Sequence, residues 1–152
     1  MQAQLLEQHL LTLKQGHLIT LTSTLGTISA CLESTLAHLT VNDTHQLYTC
    51  VISDERTILQ YITNPDLAAF DWLALQHKPT ALVYNDFLLD TNVNIKALGV
   101  WLPDNDDALR YIAKRLREPI FIFHHSEDEL HTIIPTLQYV QWNNGEAALH
   151  LP

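Results

Sequence analysis

ALGVWLPDNDDALRYIAKRLREPIFIFHH, residues 97–125, reads as strand, turn, helix and strand. Leu98, Val100 and Leu102 alternate with Gly99 and Trp101, and Pro103 closes the run because proline cannot donate to a ladder. Asp104 is the expected helix cap, with Asp106 and Asp107 in the first turn. Arg110, Lys114, Arg115 and Arg117 crowd the later turns, so both ends suit the helix dipole. Leu109, Ile112 and Leu116 recur at helical spacing and give one apolar face. Ile120–Phe123 is apolar without alternation, the pattern of a strand covered on both sides. Strand, helix and buried strand in this order predict a right-handed crossover, and so an α/β sheet.

Outward from this stretch the chain reads as one domain over residues 1–152, an open, twisted mixed sheet flanked by helices. With 152 residues, 47% of them hydrophobic, it can bury a substantial core. A formal charge of −9 disfavours a surface built for phosphate backbones. Of eight basic residues, the four in the central helix are explained by its carboxyl end. The two cysteines, Cys31 and Cys50, give no disulfide framework and read as buried thiols of a reducing compartment. The start, MQAQLLEQHLLTLKQG, lacks the basic head and cleavage site of a signal peptide, and no apolar run reaches membrane-spanning length. A cytoplasmic protein without membrane contact is expected.

In chain order, residues 2–15 predict a helix with Leu6, Leu10 and Leu13 on one face and Gly16 as its stop. A strand runs to about Thr24, and after a turn at Gly26 a second helix would bury Ile28, Cys31, Leu32 and Leu36. Leu47–Ile52 is a strand, Ser53 or Asp54 caps a short helix, and Asn64-Pro65 starts another. Pro79 leads a strand to Tyr84, and residues 85–95 form a loop. Ser126 and Glu129 have the spacing of a capping box, which predicts a final helix ended by Pro135. Residues 136–141 and 147–151 then pair as a hairpin around Asn143, Asn144 and Gly145.

Three of these segments resemble the YrdC family, the threonylcarbamoyl-adenylate synthases and their relatives. In that family a strand ending Arg-x-Pro-Asp leads into a helix, a Pro-led apolar strand and Ser-x-Asn; here Trp101, Leu102, Pro103 and Asp104 precede Pro119–Ser126. The family's Pro-Thr-Asp/Glu-Thr-x-Tyr-Gly falls on Leu21–Thr27, where Thr22 and Thr24 are kept but Ser23 stands in the acidic place and the proline and tyrosine-glycine are lost, although threonines also suit a strand for its own sake. Its Lys-x-Arg falls near Thr40 and Asn42, in a shortened loop. Its Ser-x-Asn falls on His124, His125 and Ser126.

The resemblance implies a cleft for ATP, threonine and bicarbonate, and the chain departs from it where charge matters. Neutral side chains at Thr40 and Asn42 cannot replace two cations, since charge-assisted hydrogen bonds are about twice as strong as neutral ones. The arginine is Trp101, the serine His124 and the asparagine Ser126. A degenerate YrdC-like domain is therefore expected, binding a nucleotide, another small molecule, a protein partner or, least favoured by its charge, RNA. No residue is assigned a catalytic role, and ATP enters only through the resemblance. Trp101 either stacks a planar ligand or fills the old cleft with apolar bulk. Two other readings stay open. One is a working synthase with relocated residues, serving the threonylcarbamoyl modification of adenosine in tRNA. The other is a histidine-based metal site, with Glu127 and His131 one helical turn apart beside His124, His125 and Asp128.

Overall fold

The computed structural model describes residues 3–43 and 46–150. Helix α1 (Ala3–Lys14) buries Leu10 and Leu13 and half-buries Leu6, and Gly16 ends it at a φ of +85°. Gln2, the first residue of the expected helix, lies outside the described residues. Strands β1 (Ile19–Ser23) and β2 (Gly26–Leu32) form a hairpin, and a 3-10 turn covers Glu33–His38. Strand β3 (Leu47–Val51) leads to α2 (Glu55–Ile58), capped by Asp54, and α3 (Ala68–Ala74) leads to β4 (Thr80–Tyr84). Then follow β5 (Ala97–Trp101), α4 (Ala108–Leu116), β6 (Ile120–Ser126), β7 (Glu129–His131), β8 (Gln138–Asn143) and β9 (Glu146–Leu149).

The strands make one mixed sheet in the order β1-β2-β6-β3-β5-β4-β8-β9, with β7 beside β6. Among the strands of the described residues, β3–β5 and β4–β8 are the parallel pairs. Helices α1 and α4 cover one face, where Leu13, Ile28, Ile112, Ile122 and Trp101 share a core. Helices α2 and α3 cover the other, with Ile58, Phe70, Val100, Phe121 and Phe123.

Four local expectations are corrected. The predicted second helix is strand β2. Ile28, Ala30 and Leu32 enter one core and Cys31 the other, so burial on both faces erases the alternation that would have marked a strand. The predicted final helix is the β6–β7 hairpin: Glu127 and Asp128, at φ 54° and 59°, make the two-residue turn that matches strand twist. The cap of α4 is Asp107 rather than Asp104, accepting from the Leu109 N–H at 2.8 Å. Finally, β5 and β6 are not a parallel crossover pair. After α4, Arg117 at φ 57° turns the chain, and Ile120 starts β6 in the row of Val51 and Trp101, at the end where β5 finished. Strand β6 thus runs antiparallel to β3, on its far side from β5. The terminal hairpin is present as β8 and β9, with Asn144 and Gly145 left-handed; Leu151 lies outside the described residues.

Gly99 has a packing reason that sequence alternation hides. The Tyr139 ring lies over it, such that a Cβ on Gly99 would meet Tyr139 Cε1 at 3.1 Å. The phenol reaches across to Thr49, 2.8 Å from its hydroxyl, and accepts from the Ile134 N–H at 3.1 Å. Because that ring cannot withdraw from a filled core, Gly99→Ala is expected to cost about 1–3 kcal/mol. Tyr139→Phe is expected to cost about as much by orphaning Ile134 N–H and Thr49. Urea midpoints at unchanged slope measure both. Asp107→Ala should remove a cap worth about 1 kcal/mol and lower Tm by about 2–4 °C, with Asp104→Ala leaving it unmoved.

Candidate functional site

The residues singled out by the sequence fall at two opposite ends of the sheet. At the carboxyl end of β6, His124 pairs with Ile28 on one side and His131 on the other, the two imidazole centroids 6.0 Å apart. Nδ1 of His124 is buried and has no hydrogen-bond partner among the described residues. The segment before β3 closes this corner. Asn42 N–H donates to Leu130 O at 2.7 Å, Asn42 Nδ2 to Glu129 at 3.5 Å, and the Thr132 hydroxyl to Asp43 at 3.2 Å. Ser126 pairs with Glu129 and His125 with Leu130. Thr22 is one register position away, paired with Thr27 beside Ile28, and is exposed; Ser23 caps its own turn by accepting from the Leu25 N–H. Thr40 is exposed and has no polar contact among the described residues.

The other end lies about four residues along β6, or roughly 13 Å at 3.3 Å per residue. Here a cleft of about 370 Å³ opens at the carboxyl ends of β3 and β5. Trp101, 4% exposed, is packed in the core and forms part of the cleft wall. Thr24 reaches the same cleft, because Thr136 fixes the β1–β2 turn by donating to Leu25 O at 2.7 Å. Arg110 crosses the floor, donating through Nε to Ser53 O at 2.9 Å and through Nη1 to Pro103 O at 2.7 Å. Burial, followed by the nearby Asp104 and Asp106, pushes the Asp107 carboxyl up, against the pull of the α4 amides.

Comparison with solved structures decides the fold class. E. coli YciO matches over 97% of this chain and 88% of its own, at 14% identity and a TM-score of 0.68. The fold is YrdC-like. Full-length HypF in its phosphate- and nucleotide-bound form matches 95% of this chain at 14% identity and a TM-score of 0.66. T. kodakarensis HypF matches 95% at 13% and 0.62. The chain spans 28% and 23% of those two proteins. No family model and no curated protein matches the sequence.

Within this YrdC-like fold, Asn42, His124 and Ser126 come together at the corner where the resemblance places Lys-x-Arg and Ser-x-Asn; Trp101 lies at the other end of β6, and Thr24, in the turn after Ser23, lines the cleft with it. Of the loop holding Thr40 and Asn42, Thr44 and His45 lie outside the described residues. Sequence reasoning missed Asp43, Glu129 and Thr132 at the corner, because their approach depends on a hairpin read as a helix. It also missed Arg110, grouped by the sequence with the later basic turns although it stands in the first turn of α4, from where it reaches the carbonyls of Ser53 and Pro103. The one-turn spacing of Glu127 and His131 disappears with that helix. Among the described residues no group of three or more His, Cys, Asp or Glu could hold a metal ion. Cys31 and Cys50 flank Phe121 on neighbouring strands, about two strand spacings or 9.6 Å apart, too far for a disulfide. Burial pushes both thiols up to about 12, which removes them as nucleophiles.

A hollow on the second face gathers Glu33, Asp90 and Glu118, with the Asp90 N–H donating to Glu33 at 2.6 Å. Burial, then the charge of Glu33, raises the Glu118 carboxyl. A raised folded pKa means that the folded state holds this proton more tightly than the unfolded chain. Its contribution to stability is therefore present below the ordinary carboxylate range and lost as pH rises through the folded value. Glu118→Gln should accordingly raise Tm at pH 7, and the gain should vanish toward pH 4, where the wild-type carboxyl is itself protonated; melts at the two pH values measure it.

Proposed function

We propose that this chain is a YrdC-like binding module that does not carry out threonylcarbamoyl-adenylate synthesis. The observation that carries this reading is the chemistry of the Asn42–His124 corner. Its polar contacts among the described residues are made by Asn42, Asp43, Glu129, Leu130 O, Thr132 and His131, whose Nε2 lies 3.9 Å from Glu129, with no lysine or arginine taking part. Condensing threonine, bicarbonate and ATP requires anions to be gathered and their developing charge to be stabilised. Two carboxylates beside a neutral amide do the reverse.

The ligand classes compatible with the fold are nucleotides, other small molecules, protein partners and RNA. HypF supports a nucleotide through its bound form. RNA is the weakest, because a chain of formal charge −9 repels a polyanion at physiological salt. Among the described residues no helix is long and apolar enough to cross a membrane.

The test is pyrophosphate release from ATP in the presence and absence of threonine and bicarbonate. No release above the protein-free control is expected under any combination. Release that depends on both threonine and bicarbonate overturns the reading in favour of a synthase with relocated residues. In parallel, a tRNA should migrate unchanged with the protein at low salt; a clear retardation reverses the order of partners.

A further inference from the structure

The sheet ends at β9, whose partner among the described residues is β8 alone. Asn144 and Gly145, both at positive φ, make the two-residue turn between them and so fix the register of the hairpin. His150 N–H donates to Tyr139 O at 2.9 Å, which shows that the backbone of residue 150 faces β8. That role alternates along an antiparallel ladder. The backbones of Glu146 and Ala148 therefore also face β8, while the N–H and C=O of Ala147 and Leu149 point away from the sheet. Edge strands are commonly blunted by lysine, proline or a bulge, and β9 carries none of these.

The side chains alternate as well. Ala147 and Leu149 stand on the face of the second core, opposite Trp142 and Val140 of β8, and Leu149 is 65% exposed. Trp142 in turn lies against Trp72 of α3, with ring centroids 5.8 Å apart. Glu146, Ala148 and His150 stand on the other face. Neither Glu146 nor His150 has a side-chain hydrogen bond or ion pair among the described residues. Four steps of extended strand, about 13 Å, separate the two, so they cannot meet within one chain.

A second copy of the chain answers both faces at once. When two β9 strands run antiparallel about a two-fold axis through Ala148, Ala147 of each copy lies opposite Leu149 of the other, and the outward backbone groups of these two pairs exchange their N–H···O bonds. The same register sets Glu146 opposite the partner's His150 on both sides of the axis, with Cβ atoms about 4.5–5.5 Å apart. An imidazole N–H donates to a carboxylate whether or not the ring is charged. On the other face, each Leu149 covers the partner's Ala147 beside Trp142. Moving the axis to Ala147 sets Glu146 against Ala148, and moving it to Leu149 sets His150 against Ala148, so of the three registers the central one joins the polar pair. We propose that the chain dimerises through β9 in this two-fold register, with one continuous sheet running across both copies.

Sedimentation equilibrium of the full chain over a concentration series tests this. A reversible monomer–dimer equilibrium without larger species is expected, because each copy spends its β9 edge in one closed contact. Leu149→Pro removes an outward N–H and keeps the bonds of β9 to β8, so it should abolish the dimer while the monomer still melts cooperatively. Glu146→Lys places a cation against the partner's imidazole on both sides of the axis and should weaken dimerisation by about tenfold. Adding His150→Glu reverses the pair and should recover most of that loss. The charge variants lie on exposed or half-buried side chains, which keeps the test decisive if the proline disturbs the hairpin. A chain that stays monomeric up to about 1 mM, a dimer indifferent to a folded Leu149→Pro variant, or a Glu146→Lys loss that His150→Glu does not reverse each overturns the proposal. The pyrophosphate assay concerns the corner at β6, with four strands between it and β9, so each reading can fail without the other.

Discussion

The ring of Tyr139 lying across Gly99 is the constraint on which much of the remaining geometry hangs. Strand β8 is separated from β5 by β4, and Tyr139 can reach over β4 only because Ala81, its cross-strand partner, is small and Gly99 has no side chain at all. Its hydroxyl ends in a dry core, where an unpaired phenol is expensive, and it is satisfied by Thr49 and the Ile134 N–H. Burial raises the phenol from its ordinary value, and those two hydrogen bonds pull the other way. The bond to Ile134 fixes the segment between β7 and β8. Two residues on, Thr136 holds the β1–β2 turn, and Gln138 N–H donates to Pro79 O at 2.9 Å. Thr24 and Pro79, on different walls of the Arg110 cleft, are thus positioned by one chain of contacts that starts at a tyrosine over a glycine.

What could be read from the sequence divides along the same line. Elements whose signal is local were legible: α1 with its glycine stop, the cap of α2 to within Ser53 or Asp54, the loop of residues 85–95, and the Asn-Gly turn of the last hairpin. Elements whose signal is set by neighbours were not. Strand β2 is buried on both faces, so Ile28 and Cys31 enter different cores and together mimic a helical stripe. The turn at Glu127 and Asp128 carries the same letters as a helix start, because acidic residues serve both. Once that hairpin replaces a helix, Glu129 and His131 face Asn42 and His124, a grouping that no sequence spacing contains.

The direction of β6 shows a further limit. An apolar run such as Ile120–Phe123 says that a strand is buried and says nothing of which way it points. The expected parallel crossover would have put His124 at the same end as Trp101, in one cleft. The left-handed Arg117 instead starts β6 in the row of Val51 and Trp101, and the strand then carries His124 away from that row. The end of the sheet that His124 occupies is therefore set by the direction of β6, which its apolar run does not record.

That separation changes what the loss of cations means. At the His124 end, Asn42 sits among Asp43 and Glu129, and the β6–β7 hairpin closes over the space with backbone bonds to Asn42. At the Trp101 end the balance is different. Trp101 adds apolar bulk to the core, and the cation of that region comes from the next helix, through Arg110, one turn beyond the Asp107 cap. A guanidinium spent only on holding two carbonyls could be replaced by a better-packed apolar side chain at little cost, since buried charge is a poor source of stability. That it stands half-buried, with three donors and no carboxylate partner in a cleft containing three carboxylates, is an arrangement that stability alone does not favour.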